Sequence, residues 1–153
     1  GKGSRILNGA YIIGPVIIGQ DTVIGPNCFI RPSTFIGNGC KVGAASEVKN
    51  SILMDGAKAP HHNYVGDSVL GRETNLGSGT KVANLRLDGR NIRVSLKGKV
   101  VDTGLRKLGV ITGDNVKVGI NASIQPGTII SEDCLVGAGT TVGGTISPGS
   151  RIY

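Results

Sequence analysis

Residues 18–48 read IGQDTVIGPNCFIRPSTFIGNGCKVGAASEV, and this stretch decides the fold. An aliphatic residue occupies every sixth position from Ile18 to Val48, the next residue is usually Gly, and the fifth of each six is small. The same register returns further on, at Leu70, Leu76, Val82, Val118, Ile124, Ile130, Val136 and Val142. A fixed period that covers most of a chain is the signature of a repeat architecture.

The chemistry of the three positions predicts what each hexad does. The branched residue at position one points inward, and the small residue at position five fits inside a tight corner. The Gly at position two is expected to supply a backbone conformation that other residues adopt at a cost. Each hexad is then one short strand and one corner, and three hexads close a triangular coil of eighteen residues. The sequence predicts an all-β chain, a parallel β-helix that forms a single domain over residues 1–153.

The composition agrees with a narrow, regular interior. The chain has 26 Gly, no Trp and five Phe and Tyr residues together, so Ile, Val and Leu must fill the core. The three cysteines all occupy position five, which predicts small core residues rather than disulfides or zinc ligands; they are Cys28, Cys40 and Cys134. No apolar run is long enough to span a bilayer, and no secretion leader is evident, so we expect a cytoplasmic protein that makes no use of a membrane.

The start of the chain departs from the repeat. Residues 1–10 fit the hexad pattern poorly and begin without Met. We therefore expect a fragment from which a preceding domain is missing.

The net charge of +7 is unevenly distributed. Eight of the seventeen basic residues lie between Lys81 and Lys107, against only Asp88 and Asp102. Such a cluster favours an anionic partner. Nucleic acid is not expected, because the aromatic platforms that bind single strands are missing. A phosphorylated small molecule fits better.

Two cations interrupt the glycines of position two. Arg31 and Lys49 are eighteen residues apart, one full coil, so they are expected to stack on the same corner about 4.8 Å apart. Stacked cations repel each other unless an anion is bound. They could be two solvated surface charges, but both replace the favoured Gly, and a phosphate clamp explains that better.

The spacing also shortens between Val48 and Leu70, in the segment that carries both histidines. His61 and His62 are adjacent, and neighbours on a strand point to opposite faces, so they are poorly placed to bind one metal ion. A zinc site also needs about three protein ligands. A single His beside an anion site suits proton transfer, because its pKa lies near neutrality. A surface histidine is the alternative.

A third interruption is a long excursion from the helix at about residues 83–109. Its alternating segments, 92–97 and 100–101, predict a hairpin around Gly98. Long insertions in solenoids gather on one face and often bind a ligand. This one carries the basic cluster.

Five runs of the sequence together resemble a known family, the acetyltransferase domain of bifunctional sugar-1-phosphate enzymes. They are Ile30-Arg31-Pro32, Glu47-Val48-Lys49-Asn50, Lys58-Ala59-Pro60-His61, Tyr64-Val65-Gly66-Asp67 and Asn75-Leu76-Gly77. Bacterial members are the glucosamine-1-phosphate acetyltransferase / N-acetylglucosamine-1-phosphate uridylyltransferases, and the run Asn84–Gly89 is more similar to archaeal members. The resemblance implies left-handed coiling, a missing nucleotidylyltransferase domain and a part in UDP-N-acetyl-amino-sugar synthesis.

The same resemblance implies roles for individual residues. His61 resembles the general base, Arg31 and Lys49 resemble the sugar-phosphate ligands, and acetyl-CoA is the implied co-substrate, with no metal. The further sugar-binding positions are Tyr64, Asn75 and Asn84, with either Arg90 or Arg93 in place of a lysine. Acetyl-CoA in such proteins lies between subunits, with Ala138 at one matching position, whereas Ile120 replaces a CoA-contacting Ser of bacterial members.

Two functions follow as alternatives. The first is an N-acetyltransferase that acetylates the amine of glucosamine 1-phosphate, galactosamine 1-phosphate or both. The second is a non-catalytic domain that trimerises or regulates an attached nucleotidylyltransferase. The full set of matching site residues favours the enzyme. In either case the flat apolar faces of a triangular prism predict a homotrimer.

Overall fold

A computed structural model describes residues 1–96 and 98–153, and within them the chain is a three-sided solenoid of parallel strands. We name its sides face A, face B and face C in chain order. Face A has eight strands: β1 Arg5–Ile6, β4 Val23–Ile24, β7 Lys41–Ala44, β10 Lys58–His61, β13 Asn75–Leu76, β18 Lys117–Val118, β21 Leu135–Val136 and β24 Arg151–Ile152. Face B has seven: β2 Tyr11–Ile12, β5 Phe29–Ile30, β8 Glu47–Lys49, β11 Tyr64–Gly66, β14 Lys81–Val82, β19 Ser123–Ile124 and β22 Thr141–Val142. Face C has seven: β3 Val16–Ile18, β6 Thr34–Ile36, β9 Ile52–Leu53, β12 Val69–Leu70, β17 Val110–Thr112, β20 Thr128–Ile130 and β23 Thr145–Ile146.

The inward residues stack in the register that the hexad spacing predicts. Ile24 pairs with Val42 on face A, and Ile30 pairs with Val48 on face B, each eighteen residues on. All four side chains are fully buried. The expected left-handed parallel β-helix of triangular coils is confirmed, with a core of aliphatic columns instead of aromatic clusters.

The shortened spacings are absorbed without loss of register. Val48 pairs with Val65 and Leu53 pairs with Leu70, so these coils contain seventeen residues instead of eighteen. The inward side chains remain completely buried. The residue is lost from the corner between face B and face C, which turns in fewer residues at Asn50 and Asp67.

The corners of the solenoid confirm that position five holds small core residues. Cys28, Cys40 and Cys134 are buried and unpaired. Most hydroxyl residues at the same position are also buried, namely Thr22, Thr34, Ser46, Thr74, Thr80 and Thr128. Burial raises the pKa of the Cys28 and Cys40 thiols above the ordinary value. These cysteines are core residues, as predicted.

The explanation given for the position-two glycines holds at Gly25 (φ 101°) and is wrong for the others. Positive φ occurs at position four, where non-glycine residues such as Asp21 (φ 51°) and Asn121 (φ 53°) adopt it. The glycines of position two allow coils to approach closely instead: a Cβ on Gly119 would lie 2.5 Å from the backbone nitrogen of Ala138. Outside Gly25, the requirement is steric and lies between coils.

The excursion contains the predicted hairpin. Strands β15 (Arg93–Leu96) and β16 (Lys99–Asp102) pair antiparallel, and Lys97, which the prediction included, lies outside the described residues. At the base, the Leu108 amide donates to the Asn84 carbonyl at 3.0 Å. The excursion therefore leaves and rejoins the solenoid at the corner between face B and face C.

Face C carries a continuous outward ladder of apolar residues. Ile17, Phe35, Ile52, Val69, Ile111 and Ile129 are paired in succession from coil to coil. Ile17 is 64% exposed and Ile52 is 44% exposed. Within the described residues no helix has the length and apolarity needed to cross a bilayer.

Candidate active site

The two cations of position two lie in one row, as predicted. The Arg31 amide donates to the Val48 carbonyl at 2.8 Å, which sets Arg31 beside Lys49 in the next coil. Each cation has its own carboxylate: Arg31 Nη1 lies 2.9 Å from Glu47 Oε1, and Lys49 Nζ lies 2.8 Å from Asp67 Oδ2. These carboxylates relieve the repulsion between the stacked cations while leaving both at the surface of face B.

Asp67 joins residues from three successive coils. Its carboxylate accepts hydrogen bonds from Lys49, from Asn50 Nδ2 at 2.8 Å, and from Asn84 Nδ2. Burial raises the pKa of Asp67. The hydrogen bonds from its three donors and the positive charge of one of them, Lys49, outweigh burial and hold the pKa below its ordinary value. Asp67 is therefore ionised near neutral pH.

Tyr64 reaches across face B to this cluster. Asn84 Nδ2 lies 3.3 Å from the Tyr64 hydroxyl, and Gly66 makes the crossing possible. A Cβ on Gly66 would lie 2.8 Å from the Tyr64 hydroxyl and 2.7 Å from Asn84 Nδ2. The structure thus brings Lys49, Tyr64 and Asn84 together, with Arg31 in the adjacent coil.

His61 lies at the edge between face A and face B, at the end of β10. Its amide donates to Asn63 Oδ1 at 3.0 Å, and buried Asn63 also donates to the Gly77 carbonyl at 2.8 Å. The corner is thus fixed from inside while His61 remains exposed. His62 follows in the left-handed conformation, with φ 52°.

The edge that carries His61 continues toward the C-terminal coils. Pairing of Lys58 with Asn75, Asn75 with Lys117 and Lys117 with Leu135 sets the register of this edge. The residues three positions after these four occupy the edge in successive coils, and they are His61, Ser78, Ile120 and Ala138. Ala138 therefore lies three coil steps from His61, roughly 14 Å at the usual strand spacing.

Asn75 and the two candidate arginines do not join the cluster within one chain. Asn75 begins β13 on face A, whereas Tyr64 is on face B and Asn84 lies just after β14 of that face. Arg90 and Arg93 line a separate pocket of about 290 Å³ on the excursion, together with Arg86, Asn91 and Asp102. Among the residues described, no group of three or more His, Cys, Asp or Glu side chains could hold a metal ion.

Sequence reasoning missed the carboxylates and the buried amide. Asp67 lies in one of the five runs that resemble the family, but no role was predicted for it, nor for Glu47 or Asn63. The coil length contained a signal: Asp67 is eighteen residues after Lys49, and Glu47 is sixteen after Arg31. An acid about one coil from an outward cation predicts an ion pair.

Comparisons with known proteins agree with this architecture. The family model of the GMPPB C-terminal domain matches residues 12–104, and the bacterial transferase hexapeptide model (six repeats) matches residues 109–144. The solved structure of PerB from Caulobacter crescentus, in complex with CoA and GDP-perosamine, superposes with a TM-score of 0.56 at 22% identity. That match covers 96% of this chain and 51% of PerB, and it shows a shared fold.

Two archaeal relatives are more similar in sequence. The bifunctional sugar-1-phosphate nucleotidylyltransferase/acetyltransferase of Sulfurisphaera tokodaii is 44% identical over 139 residues, which cover 91% of this chain and 35% of the relative. The bifunctional protein GlmU of Methanocaldococcus jannaschii is 43% identical over 129 residues, covering 84% of this chain and 31% of that protein. The chain thus spans about a third of the length of these relatives. The resemblance seen in the sequence is confirmed, and the chain belongs to the family of the GMPPB C-terminal domain, built of hexapeptide repeats.

Proposed function

We propose that this chain transfers acetyl from acetyl-CoA to the amine of glucosamine 1-phosphate, galactosamine 1-phosphate or both. The observation that carries the proposal is the cluster on face B, where Lys49, Tyr64 and Asn84 meet around Asp67. A domain that only assembled or regulated a partner would have no physical need for this buried polar network, which costs desolvation. The names of the archaeal relatives support the same activity.

The phosphate would bind at the corner between face B and face C. Arg31 and Lys49 are both partly exposed there and hold N–H donors at the surface. Charge-assisted hydrogen bonds from two stacked cations suit a phosphate dianion. Binding at this corner would lay the sugar on face B, beneath the Tyr64 ring.

His61 would act as the base at the opposite edge of the same face. The neutral sugar amine attacks the thioester carbonyl, the C–N bond forms, and the C–S bond breaks to release CoA as the thiolate. The amine proton passes to His61, which returns it to the sulfur. Holding amine and thioester together supplies much of the rate.

Acetyl-CoA would lie along the edge between face A and face B. Ser78, Ile120 and Ala138 continue this edge away from His61, and an extended pantetheine arm would follow the backbone there. The thioester would then lie beside His61, with the nucleotide end near Ala138.

The active form would be a homotrimer. The exposed apolar ladder of face C provides a surface for association, and closed threefold symmetry would bury it. Asn75, which lies on face A, would reach the sugar of a neighbouring subunit. The wider role, with an attached nucleotidylyltransferase in cytoplasmic UDP-N-acetyl-amino-sugar synthesis, belongs to the same proposal.

An acetyl-CoA consumption assay with each amino-sugar 1-phosphate tests the activity directly. We expect turnover that depends on the sugar phosphate, yields an N-acetyl product and is lost in His61→Ala. Wild-type protein that forms the native oligomer but acetylates neither sugar would refute the proposal and favour an assembly domain.

A further inference from the structure

The chemistry proposed above gives Asp67 no contact with substrate, yet the cluster is organised around this residue. Its side chain is 8% exposed and accepts from Lys49, Asn50 and Asn84. Its backbone also joins the coils, because its amide donates to the Lys49 carbonyl at 2.9 Å and its carbonyl accepts from Gly109 at 2.8 Å. Asp67 is thus held rigidly between the row of cations and the base of the excursion.

Asp67 decides which end of the Asn84 amide faces the sugar. A carboxylate only accepts hydrogen bonds, so the Asn84 group bonded to it must be the NH₂ group. The same nitrogen donates to the Tyr64 hydroxyl. Asn84 Oδ1 is therefore turned away from Asp67, and it accepts no hydrogen bond from the described part of the chain. It offers a free acceptor to a sugar hydroxyl or amine N–H.

Asp67 orients the Lys49 ammonium in a similar way. Both carboxylate oxygens bind Nζ, at 2.8 Å and 3.1 Å. An ammonium has three N–H donors, so at least one stays available for a phosphate oxygen. A lysine side chain without such a partner would spread over many rotamers and lose entropy on binding.

We propose that Asp67 is a positioning residue for acetyl transfer, which holds the Asn84 carbonyl toward the sugar and a Lys49 N–H toward its phosphate. The inference rests on the proposed function and deepens it. It predicts that loss of the negative charge at position 67 harms handling of the sugar phosphate and leaves handling of acetyl-CoA intact.

The first test is Asp67→Asn, which preserves shape but introduces a competing NH₂ group. We expect kcat/KM for the amino-sugar phosphate to fall about 10- to 100-fold, the scale of a small misplacement of reacting groups. KM for acetyl-CoA should not change. Asp114→Asn is the matched control, because Asp114 also pairs with a cation, Arg72, but at a different corner, and it should keep wild-type kinetics. Wild-type kinetics in Asp67→Asn would overturn the proposal.

The second test uses Asn84→Asp and the pH dependence of its activity relative to wild type. A protonated carboxyl at position 84 reproduces the native arrangement, since its O–H donates to Asp67 and its carbonyl faces the sugar. The ionised form would repel Asp67. The titratable groups around this position are Asp67, Tyr64 and, through Asp67, Lys49, with Lys107 lining the groove on the other side. We expect the ratio of variant to wild-type activity to rise as pH falls, whereas a constant ratio would contradict the proposal.

A third measurement does not depend on turnover. The Asn84 side-chain NH₂ protons should exchange slowly with solvent in the wild-type protein and rapidly in Asp67→Asn, as followed by NMR. Slow exchange in both would overturn the positioning role even if Asp67→Asn lost activity by partial unfolding. If the wild-type protein acetylates neither sugar, the proposed function fails, while altered exchange in Asp67→Asn still supports the assigned amide orientation.

Discussion

The Lys49 ammonium lies 2.8 Å and 3.1 Å from the two carboxylate oxygens of Asp67. In the next coil Gly66 pairs with Lys49, and Asp67 is the residue after Gly66. The two residues are separated by one coil in sequence and are adjacent in space. Because both side chains are largely buried, 19% and 8% exposed, each depends on the other. Stability and the proposed binding of the substrate phosphate therefore meet at this pair.

The pair predicts how stability responds to acid. The pKa of Asp67 in the folded chain lies below its ordinary value of 3.8. A carboxyl group with a depressed folded pKa stabilises the fold above its unfolded pKa, and this contribution disappears as pH falls through the folded pKa. The thermal midpoint should therefore decline below about pH 4, and the decline should be shallower in Asp67→Asn. Equal declines in calorimetry would contradict this.

Replacing the proposed base should separate the two histidines. We expect His61→Ala to lose roughly two to four orders of magnitude in kcat, the range for general acid–base catalysis. The control is His62→Asn, because Asn tolerates the left-handed conformation of residue 62, and it should remain close to wild type. An inactive His62→Asn beside an active His61→Ala would assign the base to His62.

The two cations should act through the phosphate of the substrate. Arg31→Ala and Lys49→Ala should each weaken binding of the amino-sugar phosphate by about 1.5–3 kcal/mol, as expected for charge-assisted hydrogen bonds. An amino sugar without phosphate should bind wild type and variants with the same low affinity. Titration calorimetry with both ligands checks this, and equal affinity for the phosphorylated ligand would make the cations ordinary surface charges.

Gly66 should be required for the site but not for the fold. Gly66→Ala would place Cβ within 2.7–2.8 Å of Asn84 Nδ2 and the Tyr64 hydroxyl, so both must move and sugar affinity should drop at least tenfold. Gly143→Ala is a matched control on face B, because its Cβ would meet the flexible end of the Gln125 side chain. Wild-type sugar affinity in Gly66→Ala would show that Tyr64 and Asn84 are not needed there.

The apolar ladder should hold the trimer together. Ile52→Lys places a charge in the middle of face C, and sedimentation should show monomers with little acetyl transfer. Leu135→Lys, on face A, should remain trimeric. The reverse result would move the interface to face A, and an active monomer would disprove sites shared between subunits.

The sequence was sufficient for the features that depend on burial. Ile30, Val48 and Val65 align because a narrow prism favours aliphatic side chains at its inward positions, and such columns are visible as a period. Arg31 and Lys49 were found by the same logic, since each breaks the pattern at an outward position. The role of His61 as the base rested on a single histidine beside an anion site and on the resemblance, and it remains a prediction.

Other features depend on side-chain contacts that do not recur at a fixed spacing along the sequence. The partners of Asp67 are chosen by side-chain rotamers at a corner, and the pocket around Arg90 and Arg93 depends on the path of the excursion. Apart from Gly25, the position-two glycines were misread because a sequence shows which residue is small but not what approaches it. At Gly119 the neighbour is backbone of the next coil.

The corner between face B and face C tolerates changes of length that the rest of the solenoid does not. It loses a residue at Asn50 and again at Asp67, and one coil later it accommodates the whole excursion. A hydrogen bond from Leu108 to Asn84 joins the two ends of that excursion, so the coil is closed at the base of the excursion. Loops of different length can therefore be exchanged beside the proposed sugar site by evolution or by design, while the aliphatic columns inside stay the same.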